Sequence, residues 1–398
     1  MLINMTFYFY DLETSGLDPK WHRIMQFAGQ RVNENLEPIG KPHNILVKLS
    51  DEVLPDPDAI LVTGITPQIV NQDGITEADF LKVLHREVFT PETIVCGYNS
   101  IRFDDEFMRY TLYRNFFDPY QREWSDNRSR WDIVDAVRMT RALRPEGIDW
   151  PFTSEGEPTN RLEKLTKANN IKHVGAHDAL SDVNATIELA KLLKDAQPKL
   201  YSHLLNLRSK KEVAKLLDVD KPQPLVHSTG MISSEFLNTT VVYPLAKDPN
   251  NPNAILVFDL RHDPKDFADL DENELAKLAF TNWRELAAQD LKRLPVKAVH
   301  LNKSPALAPL GVLDEPSQER IKLTLAQVQT HLESIKKFPG FGKKLEQVWQ
   351  YDSPRENPDV DGQLYEGFIG DADRKESESI HRMSPGAIDT FDPKFKDQ

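Results

Sequence analysis

The stretch "FYFYDLETSG", residues 7–16, decides how the rest of the chain is read. Four aromatic residues, Phe7 to Tyr10, run into two acids, Asp11 and Glu13. In a strand the side chains at i and i+2 point to the same face. The run predicts a buried strand, residues 5–11, with two carboxylates on one face at its end. Like charges so placed repel, and burying them is costly unless a cation sits between them. The pattern asks for something positive.

The 398 residues are enough for one to three domains with a substantial core. Hydrophobic residues make up 39% and charged residues 28%, the balance of a globular chain in water. The single cysteine, Cys96, excludes an internal disulfide framework and fits a reducing compartment. The opening "MLINMTFYFY" has no basic leader, and no apolar run reaches membrane-spanning length. A cytoplasmic location and no membrane partner are expected. The net charge of −13 argues against a broad surface that coats nucleic acid, yet permits a local basic groove.

Outward from the first strand, "MQFAGQRVN" and "HNILVKL" predict two more strands, separated by the turn-rich "ENLEPIGKP". This is an antiparallel meander. "EADFLKVLHREVF" has helical spacing, "TIVCGYN" reads as a short buried strand, and "FDDEFMRYTLYRNFF" as a helix. "RWDIVDAVRMTRAL", "RLEKLTKANNI" and "DALSDVNATIELAKLLKDA" read as further helices. Meander followed by alternation predicts an α/β fold with a mixed sheet and flanking helices, residues 1–195. "QPKLYSHLLNLRSKKEVAKLL" is a helical bridge. Beyond it "TTVVYPLA", "AILVFDL" and "VKAVHLN" predict a β-rich second domain, residues 196–351, with "DENELAKLAFTNW" and "QERIKLTLAQVQTHLESIKKF" as helical additions. Residues 352–398 begin as a polar linker.

More acids join the opening pair. "GYNSIRFDDE" puts Asp104 and Asp105 at a helix start, and "GAHDALSDV" holds His177, Asp178 and Asp182. Mg²⁺ needs hard oxygen ligands, and two ions about 4 Å apart can clamp a phosphodiester. Asp11, Glu13, Asp104 and Asp182 are the candidate ligands. His177 precedes Asp182 by five residues, roughly 140° around a helix axis, so it belongs on the turn before the helix. There a near-neutral imidazole can take a proton from water. Singly, each signal has a plainer reading. A D-x-E at a strand end is often a solvated turn, Asp104 can complement a helix N-terminus, and Asp178 is the better helix cap.

Taken in order, "DLETSG", "GYNSIRFDDE" and "AHDALSDV" resemble the three motifs of the DEDDh 3′→5′ exonuclease superfamily, and "LVTGITPQ" resembles a segment between the first two. More narrowly, "RFDDEFMRYTLYRNFFDPY", "SRWDIVDAVRMTRALRPEGIDWP", "RLEKLTKANNI", "PLVHSTGM" and "LYEGFIGDADR" resemble the bacterial exonuclease I family. The resemblance implies a ribonuclease H-like nuclease domain, an SH3-like β-rich domain and a helical C-terminal region around a single-stranded DNA groove. It implies Asp11, Glu13, Asp104 and Asp182 as ligands of two Mg²⁺ ions, with Mn²⁺ as a substitute, and His177 as general base. It gives Glu13 and Arg161 to substrate binding; the plain reading of Arg161 is an ion pair with Glu163 or Asp195. Thr14 and Phe103 flank the acids as candidates for contact with the terminal nucleotide, Phe103 reading equally well as core. Arg102, Lys164 and Lys167 are candidate backbone contacts, although the two lysines also fit a solvated face.

The implied reaction is Mg²⁺-dependent 3′→5′ degradation of single-stranded DNA to 5′-mononucleotides, in DNA repair and recombination, by a monomer. The implied partner is the acidic C-terminal tail of single-stranded-DNA-binding protein; Arg208 to Lys211 is a candidate patch, though such runs are usually solvated helix faces. Residues 352–398 read as a linker and the start of the family's helical C-terminal region; that region extends well past "GDADR", while the chain stops at "FDPKFKDQ", and so it reads as truncated. Two rivals remain: an RNA-directed or proofreading 3′→5′ exonuclease, and a catalytically silent single-stranded DNA-binding module. Matched DNA and RNA strands separate the first, and Mg²⁺-dependent nucleotide release the second.

Overall fold

The computed structural model describes residues 5–173, 178–350, 359–388 and 390–396. Its contacts divide into two compact units: Met1–Asp132, Ile171–Lys191 and Arg355–Gln398 form the first, and Ile133–Asn170 with Leu192–Pro354 the second.

The first unit is built on β1 (Thr6–Thr14), β2 (Ile24–Val32), β3 (His43–Leu46), β4 (Thr93–Gly97) and β5 (Ser129–Asp132), in the order β3-β2-β1-β4-β5. The expected meander is present: β1 pairs antiparallel with β2, and β2 with β3. The pairings β1–β4 and β4–β5 are parallel, which makes the sheet mixed. The helices α1 (Pro57–Thr63), α2 (Pro67–Asp73), α3 (Glu77–Val83) and α4 (Asp104–Arg114) follow the meander. Alternation sorts the two faces of β1. Tyr8, Tyr10 and Leu12 join Phe80 of α3 and Phe107, Met108 and Leu112 of α4 in one buried cluster. Asp11 and Glu13, out of phase with those residues, fall on the opposite face.

The sequence reading of "RWDIVDAVRMTRAL" as a single helix is corrected. Residues 129–132 are the edge strand β5, and α5 (Ile133–Leu143) starts at once after it. Then come α6 (Leu162–Ala168) and α7 (Ala179–Ala196).

The segment after residue 358 packs on the first unit. Asp361 pairs with Arg23 at 2.8 Å, the Tyr113 hydroxyl donates to the Val360 carbonyl at 3.2 Å, and Tyr365 hydrogen-bonds Glu106 and Arg109 of α4. The His381 ring stacks on Phe117 at a centroid distance of 3.8 Å.

The second unit holds β6 (Leu225–Ser228), β7 (Thr239–Lys247), β8 (Ala254–Asp259), β9 (Val296–His300) and β10 (Ala306–Pro309) in one antiparallel sheet of order β10-β6-β7-β8-β9. The helical addition expected over 318–338 is formed by two helices, Glu315–Ile321 and Leu325–Ile335. Lys322 breaks it in the left-handed region (φ 51°), and Thr324 caps the second piece. The bridge is likewise two helices, Pro198–Asn206 and Lys210–Leu216. Among the described residues no helix is long and apolar enough to cross a membrane.

Candidate active site

The end of β1 is pinned on several sides. Its register with β2 shifts between Glu13 and Thr14. The Thr14 hydroxyl donates to the Gly16 carbonyl at 2.8 Å, and the Ser15 carbonyl accepts from the Asp56 amide at 2.7 Å. Gly16 lets the chain pass close to the His22 imidazole: a Cβ there would lie 2.3 Å from the ring, which would have to move.

Asp104 opens α4 after the turn that leaves β4. Asn99 takes a left-handed conformation in that turn (φ 65°), and the Asp132 carboxylate accepts the amides of Asn99 (2.9 Å) and Ile101 (3.1 Å). One oxygen of Asp104 accepts the Leu12 amide of β1 at 3.1 Å. Asp182 lies in the first turn of α7. Asp178 caps that turn as the sequence predicts, its side chain accepting the Ser181 amide at 3.1 Å.

These elements bring ligand oxygens of Asp11, Glu13 and Asp182 within 4.8 Å of one another. Asp104 is outside that trio, but it is the nearest acid in its effect on Asp11. Burial pushes the Asp11 carboxyl well up, and the charges of Asp104, Asp182, Glu13 and Asp178 push it further. Burial, then Asp182 and Asp178, push Glu13 up to about 8. Asp104 is raised by burial and by Asp105, against the hydrogen bond from Leu12. The four charges that push Asp11 up are all negative. A group of hard oxygens with this imbalance fits a divalent cation.

The neighbouring residue of α4 has the opposite surroundings. Asp105 accepts the Tyr10 hydroxyl at 2.6 Å and Arg122 at 2.7 Å on one oxygen, and Arg130 at 2.8 Å on the other. Burial alone would raise its carboxyl; Arg122, Arg130 and Tyr10 hold it well below the usual range. The network continues through Glu123, which bridges Arg109 at 2.7 Å and Arg130 at 3.2 Å.

The other sequence candidates are dispersed. Phe103 is half-buried against the core, its ring tilted against Phe107 at a centroid distance of 5.0 Å, while Thr14 is buried with its hydroxyl committed to Gly16. Arg161 belongs to the second unit, exposed at the residue before α6, and makes no ion pair among the described residues with Glu163 or Asp195. Lys164 and Lys167 are exposed, as is Arg102. Lys210 of the basic run bonds the Asn253 side chain. His177 lies outside the described residues.

Three family models cover the chain: Exonuclease over residues 8–190, Exonuclease I SH3-like domain over 208–351, and Exonuclease I C-terminal domain over 358–398. Exodeoxyribonuclease I of Haemophilus influenzae is 39% identical over 100% of this chain and 84% of its own length. The Escherichia coli enzyme is 40% identical over 99% of the chain and 82% of its own. The chain belongs to the exonuclease I family. The solved E. coli exonuclease I in complex with a dA16 oligonucleotide superposes with a TM-score of 0.95 over 99% of this chain and 84% of that one, at 40% identity. The exonuclease I of Methylocaldum szegediense gives 0.93 at 43% identity, over 98% and 82%. The E. coli protein has also been solved as a zinc-bound complex with single-stranded DNA, and a further similar structure is SSB/Exonuclease I in complex with an inhibitor.

Two groups in this exonuclease I site carried no sequence signal. His173 places Nε2 2.5 Å from the Asp182 carboxylate, and nothing in "NNIKH" marks it. The Tyr10–Asp105 link joins residues 95 apart, beyond any local pattern. The doubled "DD" was the one visible hint.

Proposed function

We propose that this chain is an exodeoxyribonuclease that degrades single-stranded DNA from the 3′ end and releases 5′-mononucleotides, with Mg²⁺ as its metal. The observation that carries the reading is the convergence of Asp11, Glu13 and Asp182, whose ligand oxygens lie within 4.8 Å of one another. Asp11, Glu13, Asp104 and Asp182 would hold the ions, which supply charge neutralisation at the scissile phosphate and an acidified water. His177 accepts the proton of the attacking water, because a neutral imidazole next to the acids is the base the chemistry needs. Glu13, Thr14 and Phe103 border the terminal nucleotide, and Arg161 contacts the DNA backbone. Residues 1–195 carry the chemistry, while 196–351 hold DNA behind the 3′ end and so raise its effective concentration.

The tail of single-stranded-DNA-binding protein is the protein partner in this reading. The DNA substrate and the buried thiol of Cys96 support a reducing, cytoplasmic setting and a role in DNA repair.

The test is digestion of 3′- and 5′-labelled single strands, with a matched RNA strand beside them. With Mg²⁺ the 3′ label is expected to leave at once as mononucleotide, and the 5′-labelled strand to shorten as a ladder. Chelation is expected to stop both. Internal cuts, metal-independent release or equal digestion of the RNA would overturn the reading.

A further inference from the structure

The motif "FDDE" offers two consecutive aspartates at the start of α4, and both are buried. Adjacent helix residues point about 100° apart, so only one of them can face β1 at the level of Asp11. Which one does so depends on the rotation of the first turn of α4 about its axis. Two links fix that rotation against β1. The Leu12 amide donates to Asp104 at 3.1 Å, and the Tyr10 hydroxyl donates to Asp105 at 2.6 Å. Leu12 and Tyr10 flank Asp11 in the chain, so the pair of bonds brackets the metal-site residue.

Asp105 is also tied from its far side. Arg122 and Arg130, each nearly fully buried, occupy its two oxygens at 2.7 and 2.8 Å. Glu123 and Glu106 balance those guanidiniums together with Arg109. The set Asp105, Glu106 and Glu123 against Arg109, Arg122 and Arg130 is neutral without help from outside. A swap of the two aspartates would carry an uncompensated carboxylate among apolar residues and leave two buried guanidiniums without their partner.

We propose that Asp105 is a positioning residue for the metal site: its bonds to Tyr10, Arg122 and Arg130 set the rotation of α4 that presents Asp104, and not Asp105, to Asp11. It touches no substrate or reacting atom and acts only through Asp104. The proposal rests on the metal reading of the acids given above. Residues that orient ligands from behind typically change metal affinity by about 10–100-fold when altered. A purely structural network would lower stability and leave metal affinity alone.

The test uses the full chain without DNA, with Mn²⁺ as the probe, titrated by calorimetry. Tyr10→Phe removes one hydroxyl and keeps the ring; Asp105→Asn removes the charge. Glu77→Gln breaks the ion pair at the other end of α4, Arg114 to Glu77 at 3.3 Å, and serves as a destabilised comparator. Tyr10→Phe and Asp105→Asn are expected to weaken Mn²⁺ binding about tenfold or more. Their turnover should return as Mg²⁺ is raised to saturation. Glu77→Gln should bind Mn²⁺ as the native chain does. Native Mn²⁺ affinity in folded Tyr10→Phe would overturn the proposal, whether or not Asp105→Asn folds. Loss of Mn²⁺ binding in Glu77→Gln equal to that in Tyr10→Phe would also overturn it, since any loss of stability would then suffice. Failure of the native chain itself to bind Mn²⁺, with Asp11→Ala indistinguishable from it, would instead bring down the metal reading.

Discussion

Asp104 and Asp105 are consecutive and equally buried, yet their carboxyls move in opposite directions. Asp104 lies among other acids, and burial and the charge of Asp105 drive its carboxyl up; Asp105 sits among arginines, and its carboxyl is driven down. The arginine-bound acid meets the cost of burial from within the chain. The acids around Asp11 do not, and a fold that keeps such an imbalance keeps it for a partner from outside. The lesson is that burial of a carboxylate says little until its cations are counted.

The sharpest way to break this comparison is to remove one member from each group. Asp11→Ala or Asp182→Ala is expected to lower Mg²⁺-dependent turnover by on the order of 10³-fold or more, the equivalent of several kcal/mol of charge stabilisation. The same change should raise the melting temperature of the metal-free chain, because it relieves repulsion. Arg122→Met should do the reverse to stability, at a cost of about 3–5 kcal/mol in urea unfolding, because it strips a buried carboxylate of a partner. Turnover of Asp11→Ala equal to the native rate would remove that residue from the metal site.

A smaller effect is expected at the proton acceptor. His177→Ala should bind single-stranded DNA normally and lose on the order of 10²-fold in rate. The native rate should fall as pH drops below the histidine pKa, where a protonated imidazole can no longer accept a proton. A pH profile that His177→Ala leaves unchanged would take the base role away from it.

The two groups should also give stability opposite slopes with pH. Glu13, ordinarily 4.5, is held near 8 in the folded metal-free chain, so between those values the folded state keeps a proton that the unfolded state has lost. Stability in chelator should therefore fall as pH rises from about 4.5 to about 8. Asp105 is held below its ordinary 3.8, so its contribution is present above that value and is lost as pH falls below it. Thermal melts with chelator and with Mg²⁺ separate the slopes: the metal should flatten the first and leave the second. The smallest effect belongs to Arg161, which lies in neither group. Arg161→Ala should weaken DNA binding modestly and make the salt dependence shallower by about 0.7 in log–log slope, the loss of one phosphate contact.

How far the sequence discloses all this depends on the range of each contact. Asp11 and Glu13 were legible because strand geometry alone puts i and i+2 on one face. Asp178 was legible as a cap because capping is local. Short strands were harder. Ser129–Asp132 runs into α5 without a turn residue between them, so its end was absorbed into the helix reading. The break at Lys322 has no glycine or proline to announce it. The arginine network around Asp105 is invisible in the sequence, because Arg122, Arg130 and Tyr10 lie 17 to 95 residues from it and owe their pairing to the finished sheet.

The docking of Tyr365 and His381 on α4 bears on how the chain is made. The first unit is assembled from the start, the middle and the far end of the sequence, with the second unit's residues in between. A ribosome that has just released Asp132 must still synthesise through His381 before Phe117 receives its stacking partner. At about 5–20 residues per second that wait is roughly 12–50 s. Throughout it Tyr110 and Tyr113 of α4, and Phe117 just beyond it, stand without their final cover, an exposure that favours aggregation of the nascent chain. A stall or frameshift late in the message would harm the nuclease fold at a helix made long before.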